Sequence, residues 1–308
     1  MVTRREALGQ GTGFLKAGQR DNARLDAEVL LRYLLGISRT ELYRDLDEDL
    51  PALVLSRYRE LLSRRAAGEP LQYLTGQREF MGLDFLVTPA VLIPRPETEI
   101  VVETALELAR NGLYPADRGE GRGRSLTLVD MGTGSGAIAV SLARFLPGAR
   151  VYGVDISGAA LAVAWENARR HGVADRITLC CGDFFAPLAS LDLFSRVDLL
   201  VSNPPYIPGE DLAHLPREVR EFEPLLALDG GREGLDFYRR LAAGVPAFLR
   251  PGGWIVLEVG QGQAAAVQEL LEAAGCFSSF RVVPDLAGIP RVVAAVRKEE
   301  EQGSAANS

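Results

Sequence analysis

The chain is poor in the side chains that carry most hydrolytic and metal chemistry. It has two histidines, His171 and His214, and three cysteines, Cys180, Cys181 and Cys276. None has a metal-ligand spacing, so no metal is expected. No G-x-S-x-G elbow is present, which sets a Ser-His-Asp hydrolase aside. An odd cysteine count with two adjacent residues is no disulfide framework, and a reducing cytoplasm is the expected compartment. No apolar run approaches the roughly 20 residues of a membrane-spanning helix. The opening MVTRREALGQ lacks an apolar stretch, so no signal peptide is expected. A basic surplus is missing too. Lys and Arg number 34 against 41 Asp and Glu, a net charge of −7. A protein that lives on phosphate contacts usually carries the opposite balance, which counts against nucleic acid as the main partner. Up to Ile93 the charges balance at 13 against 13, and the remaining 21 against 28 carry the whole −7.

What is present is an ordinary globular composition, 47% apolar and 24% charged over 308 residues. That length suggests two domains. The first 75 residues read as helices. Asp21 can cap a helix with Leu25, Val29, Leu30, Tyr33 and Leu34 as its apolar positions and Gly36 at its end. Ser38-Arg39-Thr40-Glu41 is a capping-box pattern. Pro51 fits the first turn of a further helix, with Tyr58, Leu61 and Leu62 inward and Gly68 closing it. Such a bundle is either a structural appendage or, the favoured reading, a docking module for a partner. Residues 79–93 alternate like a hairpin, a helix follows over about 96–109, and the polar, Gly-rich 111–125 reads as a flexible loop. From 126 onward strands and helices alternate, which argues a parallel sheet covered on both faces. Ligands then bind along the C-terminal edge of its strands.

The loop Asp130-Met131-Gly132-Thr133-Gly134-Ser135-Gly136 sits between the first of these strands and its helix. Its glycines allow a tight turn and a close backbone approach to a ligand. Asp155, at the end of the next strand and followed by Ile156, can accept from two ribose hydroxyls. The run also fits the G-x-G-x-x-A dinucleotide fingerprint, and a turn that binds nothing is a third reading. Two features favour S-adenosylmethionine. Asp130 would repel a pyrophosphate but can contact an ammonium group. Asp183 and Phe184, after the third strand, offer an acceptor for an adenine amino group and a face to cover its ring.

Asn203-Pro204-Pro205-Tyr206 ends the fourth strand. Two prolines fix a rigid, extended turn without N–H donors. The Asn203 side-chain carbonyl and the Pro204 carbonyl can then accept the two N–H groups of a planar amino group, with Tyr206 stacked on its plane. An amide nitrogen is a weak nucleophile, so orientation and preorganised electrostatics would carry the rate. The long connection from Pro204 to about Arg232 is expected to close over substrate.

These residues closely resemble the release-factor glutamine methyltransferases, the HemK/PrmC family. The matching stretches are GEPLQYLTGQREFMGLDFLV (68–87), VLIPRPETE (91–99), VDMGTGSGAIA (129–139), VDLLVSNPPYI (197–207), EFEPLLALDGGREGLDFYRRL (221–241) and DLAGIPRVV (285–293). Asn-Pro-Pro-Tyr alone is shared with DNA adenine methyltransferases, whereas IPRPETE and the EP…ALDGG…GL…FY stretch are far more specific. The resemblance implies an α/β fold, a seven-stranded, mostly parallel methyltransferase sheet whose last strand is antiparallel, behind a small N-terminal helical bundle. It implies a docking domain over 1–75, a hairpin linker over 76–95, a catalytic domain over 96–298 and a disordered tail over 299–308. The implied reaction moves a methyl group from S-adenosylmethionine to the side-chain nitrogen of the glutamine in the Gly-Gly-Gln motif of class 1 peptide-chain release factors, modulating translation termination. The cofactor would lie on Asp130, Gly132, Thr133, Gly134, Ser135, Gly136, Asp155, Ile156, Asp183, Phe184 and Asn203, and the glutamine on Asn203, Pro204, Pro205 and Tyr206. Asn203, Pro204 and Tyr206 are the expected catalytic residues, in a cytoplasmic monomer. The alternative is an N6-adenine methyltransferase, whose planar amino group suits the same turn. A binding module that has lost catalysis and an enzyme acting on a small molecule also remain open.

Overall fold

The computed structural model describes residues 2–113 and 125–299. Of the expected flexible loop at 111–125, positions 114–124 lie outside the described residues, while Ala109–Leu113 form a π-helical turn that buries Leu113, so the helical part runs past the expected start of the loop. Of the tail at 299–308 only Glu299 is described. The chain forms two compact units. One holds the chain up to Gln77 together with Leu215–Glu223, and the other runs from Arg78 to His214 and again from Pro224 onward.

The first unit is helical: α1 (Arg4–Ala17), α2 (Ala23–Leu35), α3 (Arg39–Arg44), α4 (Ala52–Ala66) and α5 (Leu71–Thr75). Thr3 with Glu6 and Ser38 with Glu41 form reciprocal capping boxes that satisfy the first N–H groups of α1 and α3. α4 buries Tyr58, Leu61 and Leu62 as expected. The stripe of α2 differs from the expected one. Asn22, not Asp21, stands at its cap, and Ala23, Ala27, Leu30 and Leu31 face the core while Leu25 and Tyr33 are exposed. The small alanines let α1 and α4 approach closely, which a larger apolar side chain would prevent. Leu215–Glu223 returns to this unit from far along the chain. Its helix is held by Arg65 of α4, which donates to Asp26 at 2.6 Å and to Glu218 at 2.8 Å.

The second unit opens on a hairpin, β1 (Gln77–Phe80) and β2 (Leu83–Leu86). Its turn residues Met81 and Gly82 both have positive φ, the conformation that matches strand twist in a tight hairpin. Phe80 and Phe85 are buried against each other edge to face, their centroids 6.0 Å apart. After α6 (Pro96–Leu108) come β3 (Leu126–Met131), α7 (Ala137–Phe145), β4 (Ala149–Asp155), α8 (Gly158–Arg170), β5 (Ile177–Cys181), α9 (Ala186–Ser190) and β6 (Val197–Ser202). Then follow α10 (Arg217–Phe222), which belongs to the helical unit, α11 (Asp236–Phe248), β7 (Leu249–Glu258), α12 (Ala264–Ala273), β8 (Phe277–Pro284) and β9 (Pro290–Arg297).

The sheet has the order β5-β4-β3-β6-β7-β9-β8. β3 to β7 pair in parallel and β9 runs antiparallel to both its neighbours. Alternate residues of each central strand enter two separate cores. Leu128, Leu199, Val201 and Val256 pack under α6 and α7, and Val129, Leu200, Ile255 and Leu257 pack under α11 and α12. Burial on both faces explains why these strands read as continuous apolar runs. Each fully buried Leu or Val contributes about 1.5–3 kcal/mol. Strand order reverses between β3 and β6, and such a switch point leaves a crevice at the C-terminal edge. Ser202 closes the bottom of it, donating to the Met131 carbonyl at 2.6 Å.

Candidate active site

A cleft of about 290 Å³ opens at this switch point, between the turns that follow β3, β4, β5 and β6. Of the residues expected to hold a cofactor, Gly132, Gly134, Asp155, Ile156, Asp183, Phe184 and Asn203 line it, and so does Pro205. Asp130, Thr133, Ser135 and Gly136 do not. They form the layer beneath.

That layer discriminates between ligand classes. Gly132, Gly134 and Gly136 all have positive φ, which only glycine adopts without cost. Their turn spends its N–H groups internally. Gly132 and Thr133 both donate to the Val154 carbonyl, Gly134 donates to Asp155 Oδ2 at 2.8 Å, and Gly136 donates to the Thr133 carbonyl. Fully buried Asp130 occupies the place an anion would take at the start of α7. Its Oδ2 accepts from Thr133 Oγ1 at 2.6 Å and from Ala139 N at 3.1 Å, and its Oδ1 has no partner among the described residues. A pyrophosphate would meet the Asp155 carboxylate and few unspent donors. A ligand carrying ammonium and sulfonium charges would meet complementary potential. Burial pushes the Asp130 carboxyl up to about 7, against the pull of Thr133 and Ala139.

Asp155 is shared. Its Oδ1 accepts from Ser157 N at 2.9 Å while Oδ2 holds Gly134. At the far end Asp183 receives Arg240 at 2.6 Å, and the Arg240 guanidinium lies 3.6 Å over the Phe184 ring. Phe237 packs against that ring at a tilt of 39°, the centroids 4.2 Å apart. Phe184 itself has φ +49°, a strained conformation for an aromatic residue that turns its ring to the cleft edge.

Across the cleft stands Asn203. Its Nδ2 donates to Thr98 Oγ1 at 2.9 Å, so the side-chain carbonyl is the end turned from Thr98. Pro204 is buried and Tyr206 points inward, its hydroxyl donating to Glu258 Oε1 at 3.3 Å. The register pairs Ser202 with Leu257, so Asn203 and Glu258 leave β6 and β7 side by side. Glu258 is 1% exposed, and burial pushes its carboxyl up to about 7.

The connection after Tyr206 is stitched back on itself. Ile207 N donates to the Leu228 carbonyl, Gly230 N to the Ile207 carbonyl and Gly209 N to the Gly231 carbonyl. Gln263 Nε2 donates to the Tyr206 carbonyl at 2.9 Å. Pro224, Leu226 and Ala227 reach the cleft rim, with Leu226 76% exposed.

Sequence reasoning assigns no part to Thr98, Glu258, Gln263, Arg240 or Leu226. Thr98 lies within the quoted IPRPETE stretch, and Gly230 and Gly234 within ALDGGREG, but a motif gives no partner across the fold.

Comparison with known proteins agrees with this architecture. Residues 6–76 match the model for the PrmC N-terminal domain, and residues 123–273 match a methyltransferase domain. The chain is 52% identical to the release factor glutamine methyltransferase of Moorella thermoacetica, over 97% of this chain and 100% of that one. It is 46% identical to the enzyme of that name from Geobacter sulfurreducens, over 94% and 95%. Among solved structures, the hMettl16 catalytic domain in complex with MAT2A 3'UTR hairpin 6 shares the fold, with a TM-score of 0.55 and 17% identity over 78% of this chain and 83% of that one. The chain belongs to the release factor glutamine methyltransferase family.

Proposed function

From that membership we propose that the protein methylates the side-chain amide nitrogen of a glutamine, that of the Gly-Gly-Gln motif in class 1 peptide-chain release factors, using S-adenosylmethionine. The bound cofactor supplies a methyl group on a positively charged sulfur. The chain's own residues do the rest. The Gly132–Gly134 turn admits the ligand closely, Asp155 is the candidate partner for its ribose, and Phe184 with Ile156 is the candidate wall for its base. Asp130 braces the turn from beneath through Thr133 and Ala139.

The observation that carries the reading is the anchoring of Asn203 on Thr98. With its NH₂ held there, the amide offers an acceptor to the cleft, at the strand edge where the glycine turn also opens. Asn203 Oδ1 and the Pro204 carbonyl then receive the two N–H groups of the glutamine side chain. Both acceptors draw the hydrogens and leave electron density on nitrogen. The acceptor pair is fixed before substrate arrives, so no reorganisation is needed during transfer. The nitrogen loses one proton as the new N–CH₃ bond forms.

An N6-adenine methyltransferase is not favoured. The net charge of −7 and the identity of the relatives both count against it. Among the described residues no helix is long and apolar enough to cross a membrane, and we take the protein to act as a monomer in the cytoplasm. The test is transfer of isotope-labelled methyl from S-adenosylmethionine to a purified class 1 release factor, beside a variant lacking the Gly-Gly-Gln glutamine and beside duplex DNA. Label on the native factor alone supports the proposal. Label on DNA alone overturns it.

A further inference from the structure

We propose that Arg240 is a positioning residue for the cofactor: its guanidinium fixes the Asp183 carboxylate and the Phe184 ring as one surface, and through them selects the amino-bearing edge of adenine. The inference rests on the reading of Asp183 and Phe184 as the adenine end of the cleft.

The turn that carries these two residues needs an outside hold. At its start there is no room for a side chain, since a Cβ on Gly182 would stand 2.6 Å from Pro187 Cγ. Phe184 has φ +49°, a conformation that a bulky residue keeps only where its surroundings enforce it. The Asp183 side chain is 56% exposed, and among the described residues its carboxylate bonds to Arg240 alone.

Arg240 supplies the hold from α11, 57 positions along the chain. Its Nη2 donates to Asp183 Oδ2 at 2.6 Å, while the guanidinium carbon lies 3.6 Å from the centre of the Phe184 ring. One planar group therefore meets both residues, with its edge on the carboxylate and its face on the ring. Arginine can do this and lysine cannot. Phe237, three residues earlier and on the same face of α11, closes on the same ring, the centroids 4.2 Å apart. The helix itself is anchored. Asp236 N donates to the Gly230 carbonyl at 3.0 Å, and the Tyr238 hydroxyl to the Glu258 backbone carbonyl at 2.7 Å.

Asp183, Phe184 and Arg240 all line the cleft. With Oδ2 committed to Arg240, Asp183 Oδ1 is the oxygen left to a ligand. A carboxylate can only accept, so it suits the exocyclic amino group of adenine and opposes the carbonyl that replaces it in hypoxanthine. An exposed ion pair contributes little to stability. The effect of this one belongs in ligand selection, not in the fold.

The test compares the Kd of S-adenosylhomocysteine, the cofactor without its methyl group, with that of S-inosylhomocysteine, in which a carbonyl replaces the amino group. Wild type, Arg240→Met, Arg240→Lys and Asp183→Ala are measured, with Tm alongside. Wild type should prefer the adenine ligand by about tenfold or more, the scale of a hydrogen bond to a charged group. Arg240→Met and Arg240→Lys should weaken the adenine ligand and bring the ratio toward one, with Tm near wild type. A merely structural Arg240 would weaken both ligands alike and leave their ratio untouched. A wild-type or larger ratio in Arg240→Met, beside a ratio near one in Asp183→Ala, overturns this proposal alone. So does a wild-type ratio in Arg240→Lys, which keeps the charge without the plane. A wild-type ratio in Asp183→Ala overturns the reading of the adenine end beneath it.

Discussion

Asn203 and Thr98 are 105 positions apart, and the 2.9 Å bond between them joins the Asn-Pro-Pro-Tyr turn to the IPRPETE stretch. One side chain stands at the end of a central strand and the other in the first turn of α6. The contact turns a flexible amide into an oriented acceptor before any ligand arrives.

Removing that acceptor should abolish most turnover without disturbing the fold. Asn203→Ala is expected to lower kcat by about 100-fold or more, the scale of losing one preorganised group at a reacting centre. The melting temperature should stay near wild type, and the Kd for S-adenosylmethionine should rise by much less than kcat falls. Single-turnover assays beside calorimetry check this, and near-normal turnover would refute the assigned role.

Asp155 has a different duty. It holds Gly134 N and Ser157 N at 2.8 and 2.9 Å while facing the cleft. Asp155→Ala is expected to weaken cofactor binding by about tenfold or more, the scale of a hydrogen bond to a charged group, with a smaller effect on kcat at saturating cofactor. Titration calorimetry measures it directly.

Gly230 reports on the stitched connection. A Cβ there would stand 2.8 Å from the Cα atoms of Tyr206 and Gly234 and 2.9 Å from the Pro205 carbonyl. These are backbone atoms that cannot step aside. Gly230→Ala should cost about 1–3 kcal/mol of stability, the usual range for overpacking, and should displace the turn enough to lower kcat with it. Denaturant unfolding and turnover, measured on the same sample, should fall together.

The buried Asp130 makes a prediction about pH. Its carboxyl is held at about 7 instead of the ordinary 3.8. Between these values the folded chain binds a proton that the unfolded chain releases, so stability falls as pH rises through that window. Each pH step of one across it removes about 1.4 kcal/mol. Asp130→Asn cannot ionise. Its stability relative to wild type should therefore be higher at pH 8 than at pH 5, as read from urea unfolding at both. An unchanged difference would show that Asp130 titrates normally.

Much of this is legible in the residues. The order of strands and helices after Leu126 follows from continuous apolar runs broken by glycine turns, and helix α8 runs over the expected 158–170. The capping box of Ser38 and Glu41 is plain from its spacing alone, and Thr3 with Glu6 repeats that spacing. The glycine turn, Asp155 and the Asn203 turn are identifiable because each stands where a strand ends. What stays hidden depends on contacts between distant positions. Nothing local in Pro96–Leu108 says that Thr98 meets Asn203, and a glutamate at the end of a strand looks the same whether solvated or buried. The amphipathic stripe of α2 misleads because Ala23 and Ala27 carry little hydrophobic signal yet face the core. The excursion of Leu215–Glu223 into the helical unit includes the Arg65–Glu218 pair, a long-range ion pair with no periodic signature.

The central claim is that the cleft methylates a glutamine amide held by Asn203. Mass spectrometry of a class 1 release factor after incubation with S-adenosylmethionine and either wild type or Asn203→Ala tests it most directly. The account predicts a single added methyl group on the Gly-Gly-Gln glutamine with wild type and little or none with the variant. A methyl group on any other residue, or equal methylation by both enzymes, would contradict it.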